Sequence, residues 1–193
     1  MTFAPTLPIE TERLTLRAFT RGDVDAVFAY RQREDVARYL FDGPMSRESC
    51  AEAVQTRIGQ IALAAENDRI TLAVVRRSDD VLVGEITLIW RSVVSHQGEV
   101  GYVFNPIFHG QGYAIEAVRA LVALGFRGFG LHRIYARCDP RNTPSYRLME
   151  RLGMRREAHF REQALLKGEW TDEYIYALLA REWPGHDSAL STA

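Results

Sequence analysis

The stretch Asn105-Pro106-Ile107-Phe108-His109-Gly110-Gln111-Gly112-Tyr113-Ala114 constrains this chain more than any other. Before it, Gly98 to Phe104 is β-rich; after it, Ile115 to Phe129 carries apolar residues at helical period. A strand, a tight loop and a helix are therefore expected. Gly110 and Gly112 permit positive φ and close backbone approach, and the helix start aims unsatisfied N–H groups and a positive dipole end at the same place. These are the requirements of a phosphate or pyrophosphate seat. They are equally met by a bare strand-to-helix turn, which leaves the ligand open at this point.

Two common nucleotide fingerprints do not fit. A dinucleotide site needs a third small residue where Ile115 stands, and an acid about 20 residues on, where Leu131, His132 and Arg133 stand. A P-loop would end in Lys followed by Ser or Thr, and no such pair follows the glycines.

The formal net charge of −1 gives no global attraction to nucleic acid or to an anionic membrane. No apolar run approaches the roughly 20 residues of a membrane span, and no basic-then-apolar leader begins the chain. Cys50 and Cys138 lie far apart, and His96, His109, His132, His159 and His186 form no ligand-type pairs, so neither a disulfide framework nor a metal site is expected. A cytoplasmic enzyme or binding protein is the expectation, and with 193 residues it is read as a single domain over 1–193.

In chain order, residues 1–9 read as a loose arm and Leu14, Leu16 and Ala18 as a half-buried strand. Thr20 caps a short helix, and Ser46 caps a second from Arg47 to about Ala65. Strands from Ile70 to Arg76, Leu82 to Trp90 and up to Phe104 make a meander. After the glycine loop and its helix come a strand at Arg133 to Cys138, a helix capped by Asn142 that stops at Gly153, and two strands turning at Lys167-Gly168. Residues 185–193 read as a disordered tail. The order implies an α+β (mixed α/β) domain with a mostly antiparallel sheet of about seven strands.

Three ordered segments carry a family resemblance. His109-x-x-Gly112-x-Ala114 resembles the Arg/Gln-x-x-Gly-x-Gly/Ala signature of the GCN5-related N-acetyltransferases, with His109 departing from the usual first residue. Asn142 to Met154 resembles the Asn-x-x-Ser…Leu-Gly-Phe/Met segment of the subfamily that includes the RimJ and RimL enzymes acting on ribosomal-protein N-termini. Gly168 to Leu179 is similar to that subfamily's closing strand.

The resemblance implies the family's fold, a central twisted sheet with helices on both faces, and an acetyl-CoA-dependent N-acetyltransferase, with His109, Gly110, Gln111, Gly112, Tyr113 and Ala114 on the coenzyme's pyrophosphate. It further implies a bulge near Val103 and Phe104 that frees N–H groups for the thioester and pantetheine, and Asn142 orienting the pantetheine arm. Many relatives place a Tyr seven residues after this Asn, but Met149 stands there, which shifts the proton-donor role to Ser145. Ser145 is equally suited to bond its own helix start. Glu99 is the candidate base, with Glu85 and His96 as rivals, while Glu116 reads as a helix-start acid. No metal is implied. The implied acceptor is a primary amine, on a protein N-terminus or a small molecule, and a monomer or homodimer is expected. A non-catalytic acyl-CoA-binding module is the alternative.

Overall fold

The computed structural model describes residues 2–184, so the expected tail at 185–193 lies outside the described residues. Its sheet has eight strands in the order β1-β2-β3-β4-β5-β6-β8-β7, one more than expected. They are β1 (Ile9–Glu10), β2 (Leu14–Arg17), β3 (Arg69–Arg76), β4 (Val81–Ser92), β5 (Gln97–Phe104), β6 (Arg133–Cys138), β7 (Arg155–Leu166) and β8 (Glu169–Leu179). Every neighbouring pair is antiparallel except β5 with β6.

The extra strand comes from the segment expected to be loose. Ile9 pairs with Leu16, Phe3 and Leu63 exchange backbone hydrogen bonds of 2.8 Å, and the Phe3 ring lies 5.0 Å from Phe129. The aromatic anchor outweighs the backbone entropy of a Pro-punctuated arm.

Helices cover both faces. On one lie α1 (Val24–Arg31), α2 (Glu34–Ala37) and α3 (Arg47–Ile58); their core joins Val27, Tyr30, Cys50 and Val54 to Ala73, Val75 and Leu82 of the sheet. On the other lie α4 (Tyr113–Ala123) and α5 (Thr143–Arg151). Helix α4 buries Ala117, Val118, Leu121 and Val122 completely, spaced to form one stripe. Each larger aliphatic of that stripe contributes about 2 kcal/mol.

Two helices are shorter than their periodicity predicts. Helix α3 stops at Gly59 because the chain beyond it is recruited by the sheet: Gln60 O accepts from Thr71 N–H at 2.8 Å, and Ile61 bridges Ile70. After Ala123 the last turn of α4 widens, with Phe129 N–H donating to Leu124 O, and this lays Gly125 against Ile134, where a Cβ would sit 2.7 Å from its Cδ1.

One irregularity matters for the site. The β3–β4 ladder slips at Val74/Val75, so that Val83 has no opposite residue. The extra residue shifts the alternation of β4. Leu82 therefore packs into the α1–α3 core, and Glu85, three residues on, faces the cleft on the same side.

Candidate active site

Strands β5 and β6 pair only from Gln97↔Arg133 to Glu99↔Tyr135 and then part, although β5 continues to Phe104 and β6 to Cys138. Among the described residues, the parting leaves one edge of β5 without a strand partner beyond Glu99. The bulge expected near Val103 and Phe104 is absent: Glu85↔Val103 and Gly84↔Phe104 continue the β4–β5 ladder in register, and Asn105 N–H extends it to Val83 O at 3.0 Å. Divergence of the parallel neighbour, rather than a local insertion, exposes that edge.

At the end of β5 the loop adopts the geometry its glycines foreshadow. Asn105 Oδ1 accepts from Ile107 N–H at 3.2 Å, a tight turn follows over Pro106–Phe108, and Gly110 and Gly112 take φ of 77° and 81°. Gly112 is the N-cap of α4, so Tyr113 and Ala114 belong to a first turn whose N–H groups have no intrahelical acceptor. His109 turns back, its Nε2 3.2 Å from Phe104 O, and braces the loop against the strand end.

Two cations flank this loop that the sequence did not single out. Arg13 donates through Nη1 to Gln111 O at 2.9 Å, pairs with Glu116 at 2.7 Å and lies 4.9 Å from the Tyr113 ring centroid. Arg76 lies 5.0 Å from the Phe108 ring centroid and pairs with Asp79. Both come from segments remote in sequence, and no local pattern marks them.

Across the parting, Asn142 caps α5, its Oδ1 accepting from Ser145 N–H at 3.3 Å. The Ser145 side chain leaves its own helix: Oγ lies 2.9 Å from the Tyr102 hydroxyl, which also reaches Ser145 O at 3.1 Å. Tyr102 is thus joined to the Asn142–Ser145 segment. Burial pushes its phenol well above the ordinary range, the Ser145 hydrogen bond pulling the other way. Burial also raises the Cys138 thiol to about 11, so this neighbour of Ser145 is a thiol at neutral pH. Met149 is 1 % exposed within the core.

The candidate bases are dispersed. Glu99 is 8 % exposed and lies between two guanidiniums, accepting from Arg91 Nε at 2.7 Å and Arg137 Nε at 3.0 Å. Glu85 pairs with Arg31 and Arg57. His96 is exposed in the β4–β5 turn, and Glu116 accepts from Thr11 Oγ1 and from Arg13. Glu85, Glu99, Tyr102, Val103, Asn142 and Ser145 share one cleft of about 560 Å³, bounded above by Tyr39 to Asp42 and by the β7–β8 hairpin.

The acetyltransferase (GNAT) domain family matches residues 13–155. The uncharacterized N-acetyltransferase YnaD of Bacillus subtilis (strain 168) is 38 % identical over 175 residues, 91 % of this chain and 98 % of that protein. A crystal structure of a GNAT-family acetyltransferase from Bacillus anthracis superposes with a TM-score of 0.82 at 39 % identity, covering 91 % of this chain and all of that one. Two relatives named for different acceptors also match. A spermidine N(1)-acetyltransferase of Vibrio cholerae is 26 % identical over 83 % of this chain and 89 % of its own length, and a ribosomal protein uS5-alanine N-acetyltransferase of Escherichia coli is 33 % identical over 47 % of each. With the family's sheet, helices and glycine loop all in place, this chain belongs to the GNAT acetyltransferase family and is an N-acetyltransferase.

Proposed function

We propose that the chain transfers the acetyl group of acetyl-CoA directly to a primary amine, with a protein N-terminal amine of the ribosomal-protein type as acceptor. The observation that carries this reading is the unpaired edge of β5, which runs from the Tyr102–Ser145 pair to the glycine loop. His109 to Ala114 would hold the pyrophosphate: their backbone offers donors, Gly110 has open space where a Cβ would stand, and the guanidiniums of Arg13 and Arg76, each paired with an acid, flank the loop. The β5 edge at Val103 and Phe104 would receive the thioester and pantetheine. Asn142 uses its carbonyl oxygen as the cap and keeps its amide N–H groups to orient that arm.

In the reaction the neutral amine attacks the thioester carbon, a C–N bond forms and the C–S bond breaks. One proton leaves the nitrogen and one is taken up by the departing thiolate. Ser145 Oγ donates its proton to the thiolate and regains one from water, so that the proton lost by the amine balances the one gained by the thiol, while Tyr102 keeps its proton and stays within hydrogen-bond distance of Ser145 Oγ. Both oxygens of Glu99 are occupied by arginines, so we assign it to holding Arg91 and Arg137 at the cleft rather than to proton transfer. An α-amine titrates near pH ~8 and can release its proton to water.

The test is release of free CoA thiol with a panel of N-terminal peptides, polyamines, aminoglycosides and amino acids. Saturable release with at least one amine is expected. Binding of acetyl-CoA with no release from any amine would overturn the reading.

A further inference from the structure

The floor of the cleft carries a charge cluster that the chemistry above does not use. Arg31 ends α1, Arg57 lies in the last turn of α3, and both reach the sheet at Glu85, which the β4 irregularity turns toward them. Their side chains are 12 % and 13 % exposed and that of Glu85 is 5 % exposed. Glu85 Oε1 accepts from both guanidiniums, whereas Glu85 Oε2, Arg31 Nε, Arg57 Nη1 and Tyr30 Oη are buried without a hydrogen-bond partner among the described residues.

The cluster does not balance. It holds two guanidiniums and one carboxylate, and among the described residues neither arginine has a second acid within ion-pair distance. Tyr30 adds no charge, since burial and the Glu85 carboxylate hold its phenol well above the ordinary range. A largely buried excess positive charge is costly unless an anion meets it. The buried acids nearer the mouth are engaged by arginines, Glu99 with Arg91 and Arg137, Glu173 with Arg137 and Asp139 with Arg141, while Asp172 is half-exposed on the β7–β8 hairpin, beside the His159 ring. Asp42 and Arg69 are exposed at the rim and oppose each other in sign. The surplus therefore sits at the floor, and Arg31, Arg57 and Glu85 all line the cleft.

We propose that the Arg31–Glu85–Arg57 floor binds a carboxylate on the acceptor, so that the enzyme's substrates are amines bearing an acidic group and not polyamines. The proposal rests on the acetyl-transfer reading above and names its acceptor class. Glu85 faces Val103 across one ladder, so the floor lies about one strand spacing, ~5 Å, from β5, whose far edge would receive the thioester. A carboxylate several bonds from the amine fits this span, as in an ω-amino acid or in an N-terminal peptide with an acidic second residue.

The experiment compares kcat/KM for matched acceptors: 4-aminobutyrate against its amide, peptides beginning Ala-Asp against Ala-Asn, and spermidine. The expected preference for the carboxylate member of a pair is about 10- to 100-fold, the range that charge-assisted hydrogen bonds supply. Whichever pair shows it identifies the source of the carboxylate. In Arg57→Gln and Arg31→Gln the ratio should fall toward one; a merely structural role would slow both members alike and leave the ratio intact. The proposal is overturned if the parent enzyme acetylates the amides or spermidine as well as the carboxylates, or if folded variants keep the parent ratio. The parent comparison decides the matter even if both variants fail to fold. Because CoA release from any amine sustains acetyl transfer itself, a failed carboxylate preference is separable from a failed reaction.

Discussion

Ser145 and Tyr102 illustrate how a residue's role depends on its partner. In the first turn of a helix, Ser commonly bonds its own backbone, but here the hydroxyl leaves α5 and meets a phenol from β5 at 2.9 Å. A hydroxyl supported in this way is oriented to donate. Ser145→Ala should lower kcat about 100-fold or more with little change in acetyl-CoA affinity, as loss of a proton donor does. Tyr102→Phe should also lower kcat, by less, since Ser145 keeps its hydroxyl and loses only its orientation. Thiol-release kinetics over a range of pH checks both, and a Ser145→Ala enzyme that matches the parent throughout would remove the residue from the chemistry.

The element to which we assign donor binding is the turn from β5 into α4. Gly112 caps α4 at φ 81°, where a β-branched residue is strained, and a Cβ there would lie 3.3 Å from Arg13 Nη2. Valine at this position would also stand between the helix N-terminus and any anion approaching it. Gly112→Val is expected to weaken acetyl-CoA binding about tenfold or more while retaining the folded far-UV spectrum, with calorimetric titration as the measurement. Unchanged affinity would exclude the loop from the donor site. The same element explains the place of His109, whose ring fastens the loop to Phe104 O.

At the scale of the molecule, ion pairs fasten the start of the chain to the rest. Glu116, in the first turn of α4, accepts from Thr11 Oγ1, Arg13 N–H and Arg13 Nε at 2.7 to 2.8 Å. Burial raises its carboxyl, but these bonds outweigh burial and hold it below the usual range; Asp23 is lowered in the same way against Arg17 and Thr20. A depressed folded pKa adds stability that is present above the unfolded value, near pH ~4, and is lost as pH falls through the folded value. Glu116→Gln should therefore lower the melting temperature at neutral pH by about 2–5 °C, and the gap to the parent should close on acidification toward pH ~3. A gap that stays constant over that range would show that the carboxylate charge contributes nothing.

The sequence by itself determined what depends on neighbours within a turn or two of chain. Gly110 and Gly112 announced positive φ, Asn142 announced a helix cap, and β6 from Arg133 to Cys138 was read to its boundaries. Alternation, helical period and turn chemistry are local quantities, and the order of elements follows from them. Only the tertiary structure decided which side chains face one another. Tyr102 and Ser145 are 43 residues apart, and Arg13 lies 98 residues from the Gln111 carbonyl it holds. Glu85 meets Arg31 and Arg57 because one unpaired residue at Val83 shifts the face of β4, and the β5 edge is open because β6 diverges after three pairs. Strand order, register and divergence are set by the packing of the two cores against the sheet, which no window of residues encodes.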